Sequence, residues 1–227
     1  MTYKQAVIDS QKNLKIIKEK SYLLTKAKYG PSKPTKIPLN LNREIVFFVG
    51  AIIGDGHLRK DKSQITIELS NIKLINFIKK ICSKQFERTF NILPVKLRVE
   101  GRKNTFHMPI DSKSIYNLLK EVFEIPSGKK SSIVKVPKYI LNSNNKIKLA
   151  FLKGIMATEG GKRKRGYGLS TASKELWLGL EALFNNLKIP ILVDKWVYKK
   201  YNKEYYGISF KKEYMEKMMW ELGFEPR

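Results

Sequence analysis

The feature that most constrains the fold is a short helix-end pattern that occurs twice. It reads VGAIIGDG at residues 49–56 and LKGIMATEG at residues 152–160. Each copy ends an apolar run, carries a glycine a few residues before an acid, and follows that acid directly with another glycine. Because a helix that is apolar nearly all round must be buried on most of its faces, we expect both helices inside the protein, with Asp55 and Glu159 at their ends.

Small residues on a buried helix allow two backbones to approach closely, so the two motif helices are predicted to pack as partners. Asp55 and Glu159 then arrive side by side, and adjacent carboxylates repel unless a cation lies between them. Mg²⁺ is commonly held by one or two carboxylates with phosphate oxygens and water. One copy alone is weak evidence, since Gly often follows a helix; the repetition predicts a magnesium site able to support phosphodiester hydrolysis.

Hydrophobic periodicity repeats around the two motifs. After the first motif helix the pattern predicts a strand at 64–69, a helix at 71–89, strands at 95–99 and 105–110, and a helix at 112–123. After the second it predicts a strand at 167–171, a helix at 174–187, strands at 191–198 and 205–210, and a helix at 213–222. The sequence therefore predicts an α+β fold with two pseudo-symmetric αββαββα halves, 43–123 and 146–227, joined by a connector at 124–145.

The first 42 residues lie outside this repeat. Residues 1–29 are rich in Lys, with apolar residues at an imperfect helical spacing that Gly30 and Pro31 terminate. Residues 30–42 carry three prolines and resemble a linker. We expect a basic helical extension followed by a linker over residues 1–42. The three tryptophans, Trp177, Trp196 and Trp220, are expected in the core.

The net charge of the chain indicates the kind of partner that it binds. The chain has 45 Lys and Arg against 20 Asp and Glu, a formal net charge of +25, which makes nucleic acid the default partner; a merely basic or ribosomal-type protein is the alternative. With one cysteine and two histidines, a zinc site or a disulfide framework is not expected. No apolar stretch approaches the ~20 residues of a membrane span, so we expect a cytoplasmic protein without a membrane partner.

On these residues the chain resembles the LAGLIDADG homing endonucleases, in particular the monomeric, two-motif type encoded in archaeal introns. The resemblance covers about residues 43–224. It implies a monomer whose two halves form a saddle, with antiparallel sheets that bind double-stranded DNA. It also implies a site-specific cut of both strands at a long asymmetric target, as in intron homing.

The resemblance implies roles for particular residues. Asp55 and Glu159 become catalytic metal ligands, and the backbone carbonyls of Gly54 and Thr158 turn toward the metal. Mg²⁺ is the implied cofactor, with Mn²⁺ as a substitute and Ca²⁺ binding without supporting cleavage.

One departure from the family concerns the basic residue near the scissile phosphate. The family often places Lys or Gln at the end of the strand that follows each motif, whereas here those regions read ELS at 68–70 and STA at 170–172. We expect the role to pass to Lys129 or Lys130 in the connector, and we favour Lys130.

Polar residues of the strands and turns are the candidate DNA contacts, since a β-ribbon can enter the major groove, where Arg, Lys and Gln read base edges. The run at 162–165 has a second interpretation as a solvated hairpin tip or a localisation tag. The candidates are Arg59, Lys60, Gln64, Thr66, Glu68, Lys96, Arg98, Arg102, Lys103, Lys162, Arg163, Lys164, Arg165, Lys195, Lys199, Lys200 and Tyr205.

Two other functions on the same fold stay open. An RNA maturase would bind intron RNA as its partner, and a non-catalytic DNA-binding protein would need no cleavage site. The presence of both acids favours the nuclease, because RNA binding alone does not need them. The missing cations at the strand ends give weight to the non-catalytic alternative.

Overall fold

The N-terminal segment forms a small layer of its own. In the computed structural model, which describes residues 1–29, 32–95, 104–164 and 166–219, it consists of α1 (Tyr3–Ser10) and an antiparallel sheet in the order β1-β2-β3. The strands are β1 (Lys15–Lys18), β2 (Tyr22–Lys26) and β3 (Thr35–Pro38). The helical interpretation of this segment holds only for α1 and is wrong for β1 and β2. The expected linker contains β3.

The described part of the first half has the predicted element order, and residues 96–99 of the strand predicted at 95–99 lie outside the described residues. Its elements are α2 (Arg43–Asp55), β4 (Gly56–Arg59), β5 (Gln64–Leu69), α3 (Ile72–Phe86), β6 (Leu93–Val95), β7 (Thr105–Ile110) and α4 (Lys113–Asn117), which continues as a π-helical turn (Leu118–Val122). The four strands form an antiparallel sheet in the order β4-β5-β7-β6.

The second half repeats this order. After a short helix in the connector, α5 (Lys138–Leu141), come α6 (Asn145–Glu159), β8 (Gly161–Arg163), β9 (Gly166–Thr171), α7 (Lys174–Asn186), β10 (Leu192–Tyr198), β11 (Lys203–Phe210) and α8 (Lys212–Met219). The sheet order, β8-β9-β11-β10, is the same as in the first half once equivalent strands are matched. The prediction of two αββαββα halves is therefore confirmed.

The motif helices α2 and α6 pack directly against each other and make the most extensive contact between any two elements in the described structure. A Cβ atom on Gly154 would lie 2.1 Å from the carbonyl oxygen of Phe47, and one on Gly50 would lie 2.5 Å from that of Phe151. Backbone therefore meets backbone at both glycines. The predicted pairing through small residues is confirmed.

Each sheet has one face covered by helices and one face without them. Ile65, Ile67 and Leu69 are buried on the covered face of β5, and Ile208 and Phe210 on that of β11. The opposite face, called here the open face, carries Gln64, Thr66 and Glu68 in the first half and Lys203, Tyr205 and Ser209 in the second. This alternation is what a strand with one buried face requires.

The N-terminal layer packs on the first half, and its Tyr3 also meets Tyr139 of α5 in the connector. Helix α1 packs on the π-helical turn, and β3 packs on α3 and α4. Val7, Leu23 and Ile37 are fully buried in the same core as α2 and α3. None of the helices formed by the described residues has the length and apolar character needed to cross a membrane.

Candidate functional site

The two motif helices end in the same way. The N–H of Gly56 donates to the carbonyl of Ile52, and the N–H of Gly160 donates to that of Met156. A Cβ on Gly160 would lie 2.3 Å from that Met156 oxygen, and one on Gly56 would lie 2.6 Å from the Ile52 Cα. Glycine is therefore needed at the turn from helix into strand. Each acid occupies the last residue of its helix, immediately before this turn.

The helix packing brings the two predicted acids together. A Cβ on Gly54, the neighbour of Asp55, would lie 2.1 Å from Thr158 Oγ1 and 3.0 Å from Glu159 Cγ. The stem of Glu159 therefore lies against the chain beside Asp55. Asp55 is half-buried and Glu159 is exposed, so the pair lies at the surface end of a buried helix interface.

Lys130 is the cation at this site. Its Nζ donates to the carbonyls of Ile53 at 2.6 Å and Gly54 at 2.9 Å, and also to that of Ile52. Burial lowers the pKa of Lys130 to about 8, against the attraction of Glu159 and Asp55, which raises it. A cation near the last carbonyls of a helix also interacts favourably with the helix dipole.

The connector loop is held in place by its backbone. The N–H of Gly128 donates to the carbonyl of Leu58 in β4 at 2.9 Å, and Gly128 has a φ of +80°, which suits glycine. The loop thereby delivers Lys130 to the end of α2. Lys129, the other candidate, is exposed, and the contacts described above belong to Lys130.

Gly54 and Thr158, the residues before the two acids, make different polar contacts. The Gly54 carbonyl accepts the hydrogen bond from Lys130. In α6, the hydroxyl of the fully buried Thr158 lies 3.3 Å from the carbonyl oxygen of Gly154 and 3.2 Å from that of Ile155, and can donate to either. A lysine of the connector thus bonds the last turn of α2, whereas the Thr158 hydroxyl bonds back within its own helix.

A second lysine, Lys203, lines the same cleft, although the sequence pattern alone does not single it out. The cleft has a volume of about 200 Å³, and its walls include Lys130, Glu159, Ser170 and Lys203. Strand β11 pairs antiparallel with β9, with Tyr206 opposite Thr171, so its first residues lie beside the end of β9. The family's position for a basic residue is at that strand end, and here the adjacent strand supplies the cation.

The donor set suits a hard cation. Among the residues that the structure describes, no group of three or more His, Cys, Asp and Glu side chains is placed to hold a metal. Two carboxylates beside helix-end carbonyls fit Mg²⁺, which keeps several waters and uses substrate phosphates as further ligands. The predicted ligands Asp55 and Glu159 thus fit the expected ion as a partial shell.

The candidate DNA contacts of the first sheet share its open face. Arg59 lies opposite Gln64 in the register of β4 and β5. Arg59 also pairs with Asp61 at 2.9 Å, and Gln64 Nε2 donates to Asp111 Oδ1 at 2.5 Å. The remaining candidates here are Thr66 and Glu68 on the open face and Lys60, exposed in the turn.

The candidates of the second half are divided between the two faces of its sheet. Arg163 lies on the open face and donates to Ser170 Oγ at 3.2 Å. Lys195 lies opposite Tyr206 and pairs with Glu204 at 2.9 Å, so it is on the covered face and does not share the surface of Tyr205. Lys162, opposite Tyr167, is also on that face; Lys164, Lys199 and Lys200 are exposed in turns.

Five candidates, Lys96, Arg98, Arg102, Lys103 and Arg165, lie outside the described residues.

The open face of the second sheet carries an aromatic cluster, defined by Trp196, Tyr198 and Tyr205. The rings of Trp196 and Tyr205 stack with centroids 6.0 Å apart and planes 15° apart, and Tyr198 meets Tyr205 edge-on at 6.5 Å. The expectation of a core Trp196 is wrong, because register places it opposite Tyr205. Trp177 does pack against the core, on Tyr206. Trp220 lies outside the described residues.

Comparison with solved structures identifies the fold. A variant of I-DmoI in complex with its target DNA in the presence of Mn superposes with a TM-score of 0.56 at 18% identity, over 83% of this chain and 99% of that one. I-DmoI with DNA and Ca gives 0.55 at 17% identity, over 81% and 90%. The fold is that of the LAGLIDADG homing endonucleases. Full-length DUF199/WhiA from Thermatoga maritima gives 0.52 at 13% identity, over 81% of this chain and 57% of that one.

Comparison of sequences gives matches that cover only a small part of each relative. No protein-family model matches the chain. The replication factor C small subunit of Methanocaldococcus jannaschii is 30% identical over 167 residues, which are 74% of this chain. A probable translation initiation factor IF-2 of the same organism is 26% identical over 202 residues, or 86% of this chain. The chain spans only 9% and 16% of the lengths of these relatives, so their names describe much larger proteins.

Proposed function

We propose that this protein is a site-specific DNA endonuclease of the LAGLIDADG type, which makes a metal-dependent cut in both strands of a long asymmetric target. The observation that carries the proposal is the placement of Asp55 and Glu159 side by side at the end of a glycine-packed helix pair, beside Lys130. The net charge of +25 and the fold shared with I-DmoI, described in complex with its target DNA, support it.

In this proposal, the two acids hold Mg²⁺, which when bound supplies an activated water and stabilises the leaving oxygen. Mn²⁺ substitutes for it, and Ca²⁺ binds without supporting cleavage. Asp55 and Glu159 concentrate negative charge at one point, where the chain itself offers only part of a coordination shell. The two carboxylates would hold the ion, and the ion when bound would attract the phosphate oxygens of the substrate.

Lys130 and Lys203 provide positive charge on two sides of the acid pair Asp55 and Glu159. Lys130 is anchored by the carbonyls at the end of α2, so its ammonium is preorganised and not free to move to solvent. Lys203 faces the cleft from β11. A fixed cation near a phosphate stabilises the charge that develops during cleavage without further reorganisation.

The proposed DNA-binding surface lies around Asp55 and Glu159. The open faces of both sheets contact duplex DNA on either side of the acids, and the protein acts as a monomer in intron homing. We also propose the division into an N-terminal extension (1–42), a first half (43–123), a connector (124–145) and a second half (146–227).

The test is cleavage of a pooled library of long duplex fragments, in Mg²⁺ and in EDTA, followed by sequencing of the new ends. We expect defined paired cuts that require the metal. Asp55→Asn and Glu159→Gln should each lower the rate by about a hundredfold or more, since preorganised charge is of this value at active sites. Glu175→Gln, which removes an exposed acid in the first turn of α7, is the matched control and should cleave normally.

Two results would count against the nuclease. Duplex binding without any metal-dependent cut, unchanged by Asp55→Asn, would favour a non-catalytic DNA-binding protein. Stronger binding to structured RNA than to duplex DNA of equal length, with no cut in DNA, would favour the maturase.

A further inference from the structure

A second basic cleft lies where the N-terminal layer meets the first half. It has a volume of about 290 Å³ and is lined by residues from β2 and β3, by Arg88 after α3 and by the segment after β7. Four cations, Lys26, Lys33, Arg88 and Lys113, surround it against one acid, Asp111. The cleft therefore carries an excess of positive charge.

The floor of this cleft is built from buried hydroxyl groups. Thr25 Oγ1 lies 2.7 Å from Ser114 Oγ and 2.9 Å from the carbonyl oxygen of Thr35, and Thr35 Oγ1 lies 3.3 Å from Ser112 Oγ. All four side chains are buried. These hydrogen bonds join the N-terminal sheet to the first half and fix the walls of the cleft, so it is preformed.

Arg88 contacts this floor directly. Its Nη1 donates to Thr35 Oγ1 at 3.2 Å, while its buried Nε has no acceptor in the described structure. Burial lowers the pKa of Arg88, and Asp111 opposes that shift. Within the described residues, none of the four cations forms an ion pair closer than 4.0 Å. A half-buried guanidinium without a paired anion favours an anionic ligand, and phosphate matches its planar donors.

The position of the cleft indicates where such a phosphate comes from. In the register of β4 and β5, Gly56 beside the acids pairs with Ile67, whereas Arg59 pairs with Gln64 at the far end. The Gln64 side chain, on the open face, is bonded to Asp111 of the cleft. The cleft therefore continues the open face of the first sheet on the side away from Asp55.

We propose that this cleft binds a phosphate group, and that in the complex this is a backbone phosphate of the DNA flanking the first sheet. The DNA assignment rests on the proposed function, whereas the phosphate site does not. The N-terminal layer then has a binding role, because it supplies the walls and two of the lysines, and it extends the DNA contact of the first half only.

The first experiment measures binding of a 40-base-pair duplex in Ca²⁺ over a range of salt concentrations. Each phosphate contact contributes about 0.9 to the slope of log affinity against log salt. Arg88→Met should lower that slope by about one, and Lys33→Ala with Lys113→Ala should lower it further. Lys120→Ala, which removes one exposed charge from the π-helical turn, should leave the slope close to that of the unaltered protein.

The second experiment titrates inorganic phosphate into the DNA-free protein and follows binding by calorimetry. Binding that Arg88→Met abolishes and Lys120→Ala preserves supports the site even if the protein never cuts DNA. Loss of the salt slope with Arg88→Met but no binding of free phosphate assigns the site to the DNA backbone.

Equal slopes for Arg88→Met and Lys120→Ala, together with no binding of phosphate, would overturn the proposal. Arg88→Lys keeps the charge, and thermal melting of both Arg88 variants separates a loss of binding from a loss of fold.

Discussion

The two halves share their centre and differ in their surroundings. Both contribute a motif helix and a four-stranded sheet of the same strand order. The first half is covered by the N-terminal layer, in which Leu23 is fully buried, whereas the equivalent edge strands of both sheets are exposed, with Leu93 of β6 at 49% and Leu192 of β10 at 58%. The two halves are therefore alike where the motif helices pack together and differ in the N-terminal layer that covers the first half.

The helix ends show the same contrast at the level of single atoms. Glycines at equivalent places bring α2 and α6 together, because any Cβ there meets a backbone atom. The polar contacts near the helix ends differ: Lys130 bonds carbonyls of the last turn of α2, whereas the Thr158 hydroxyl bonds carbonyls within α6 itself. The surroundings of Asp55 and Glu159 are therefore unequal, although the two acids hold equivalent places in the repeat.

The largest loss of stability is expected for a substitution in the N-terminal layer that covers the first half. Leu23→Ala should lower the free energy of unfolding by about 2–5 kcal/mol, the range for a fully buried leucine. Leu192→Ala, on the edge strand, should change it by less than about 0.5 kcal/mol. Urea denaturation measures both. A large cost at Leu192 would mean that the second half is covered in solution and that the contrast is false.

The glycines of the helix pair should give a smaller and symmetric effect. Gly154→Ala and Gly50→Ala each force a methyl group against a backbone oxygen, at an expected cost of about 1–3 kcal/mol for overpacking. This cost is reduced by the better helix propensity of Ala, up to about 1 kcal/mol. Thermal melting of both variants checks it. If either substitution stabilised the protein, the close approach of α2 and α6 would be wrong.

The charged cap of α2 predicts a pH effect on the stability of the metal-free protein. The pKa of Lys130 is lowered to about 8 by burial, below its value near 10.4 in the unfolded chain. Between these two pH values only the unfolded state retains the proton, so stability due to this group rises with pH across that window. Unfolding measured at pH 7.5, 8.5 and 9.5 should show this rise relative to Lys130→Met. A constant difference between the two proteins would refute it.

The smallest effect should separate the two faces of the second sheet. Trp196→Ala removes the open-face stack and should weaken duplex binding about fivefold, an effect of roughly 1 kcal/mol, with little change in stability. Trp177→Ala removes the stack on Tyr206 on the covered face and should lower stability while leaving affinity unchanged. Fluorescence anisotropy measures the DNA affinity of both variants, and thermal melting measures their stability. Equal losses of affinity would contradict the assignment of Trp196 to the open face and Trp177 to the covered face.

Much of the fold follows from local pattern. The alternation of residues 64–69 and the amphipathic spacing after Asn71 predict β5 and α3, because burial on one side imposes a period on the sequence wherever an element has one apolar face. The motif helices and the pairing of Asp55 with Glu159 follow from the repeat, since only small residues permit that approach.

Other features depend on contacts between distant parts of the chain. The sequence alone determined the two motif helices, the repeated element order and the pair of acids, because helix periodicity and the small residues needed for close packing both lie within short stretches of the chain. Only the tertiary structure decided that residues 15–18 and 22–26 form strands, that Lys203 reaches the cleft and that Lys195 does not share the face of Tyr205. Each of these depends on which strand lies alongside and in what register, and a shift of one residue reverses the face of every side chain.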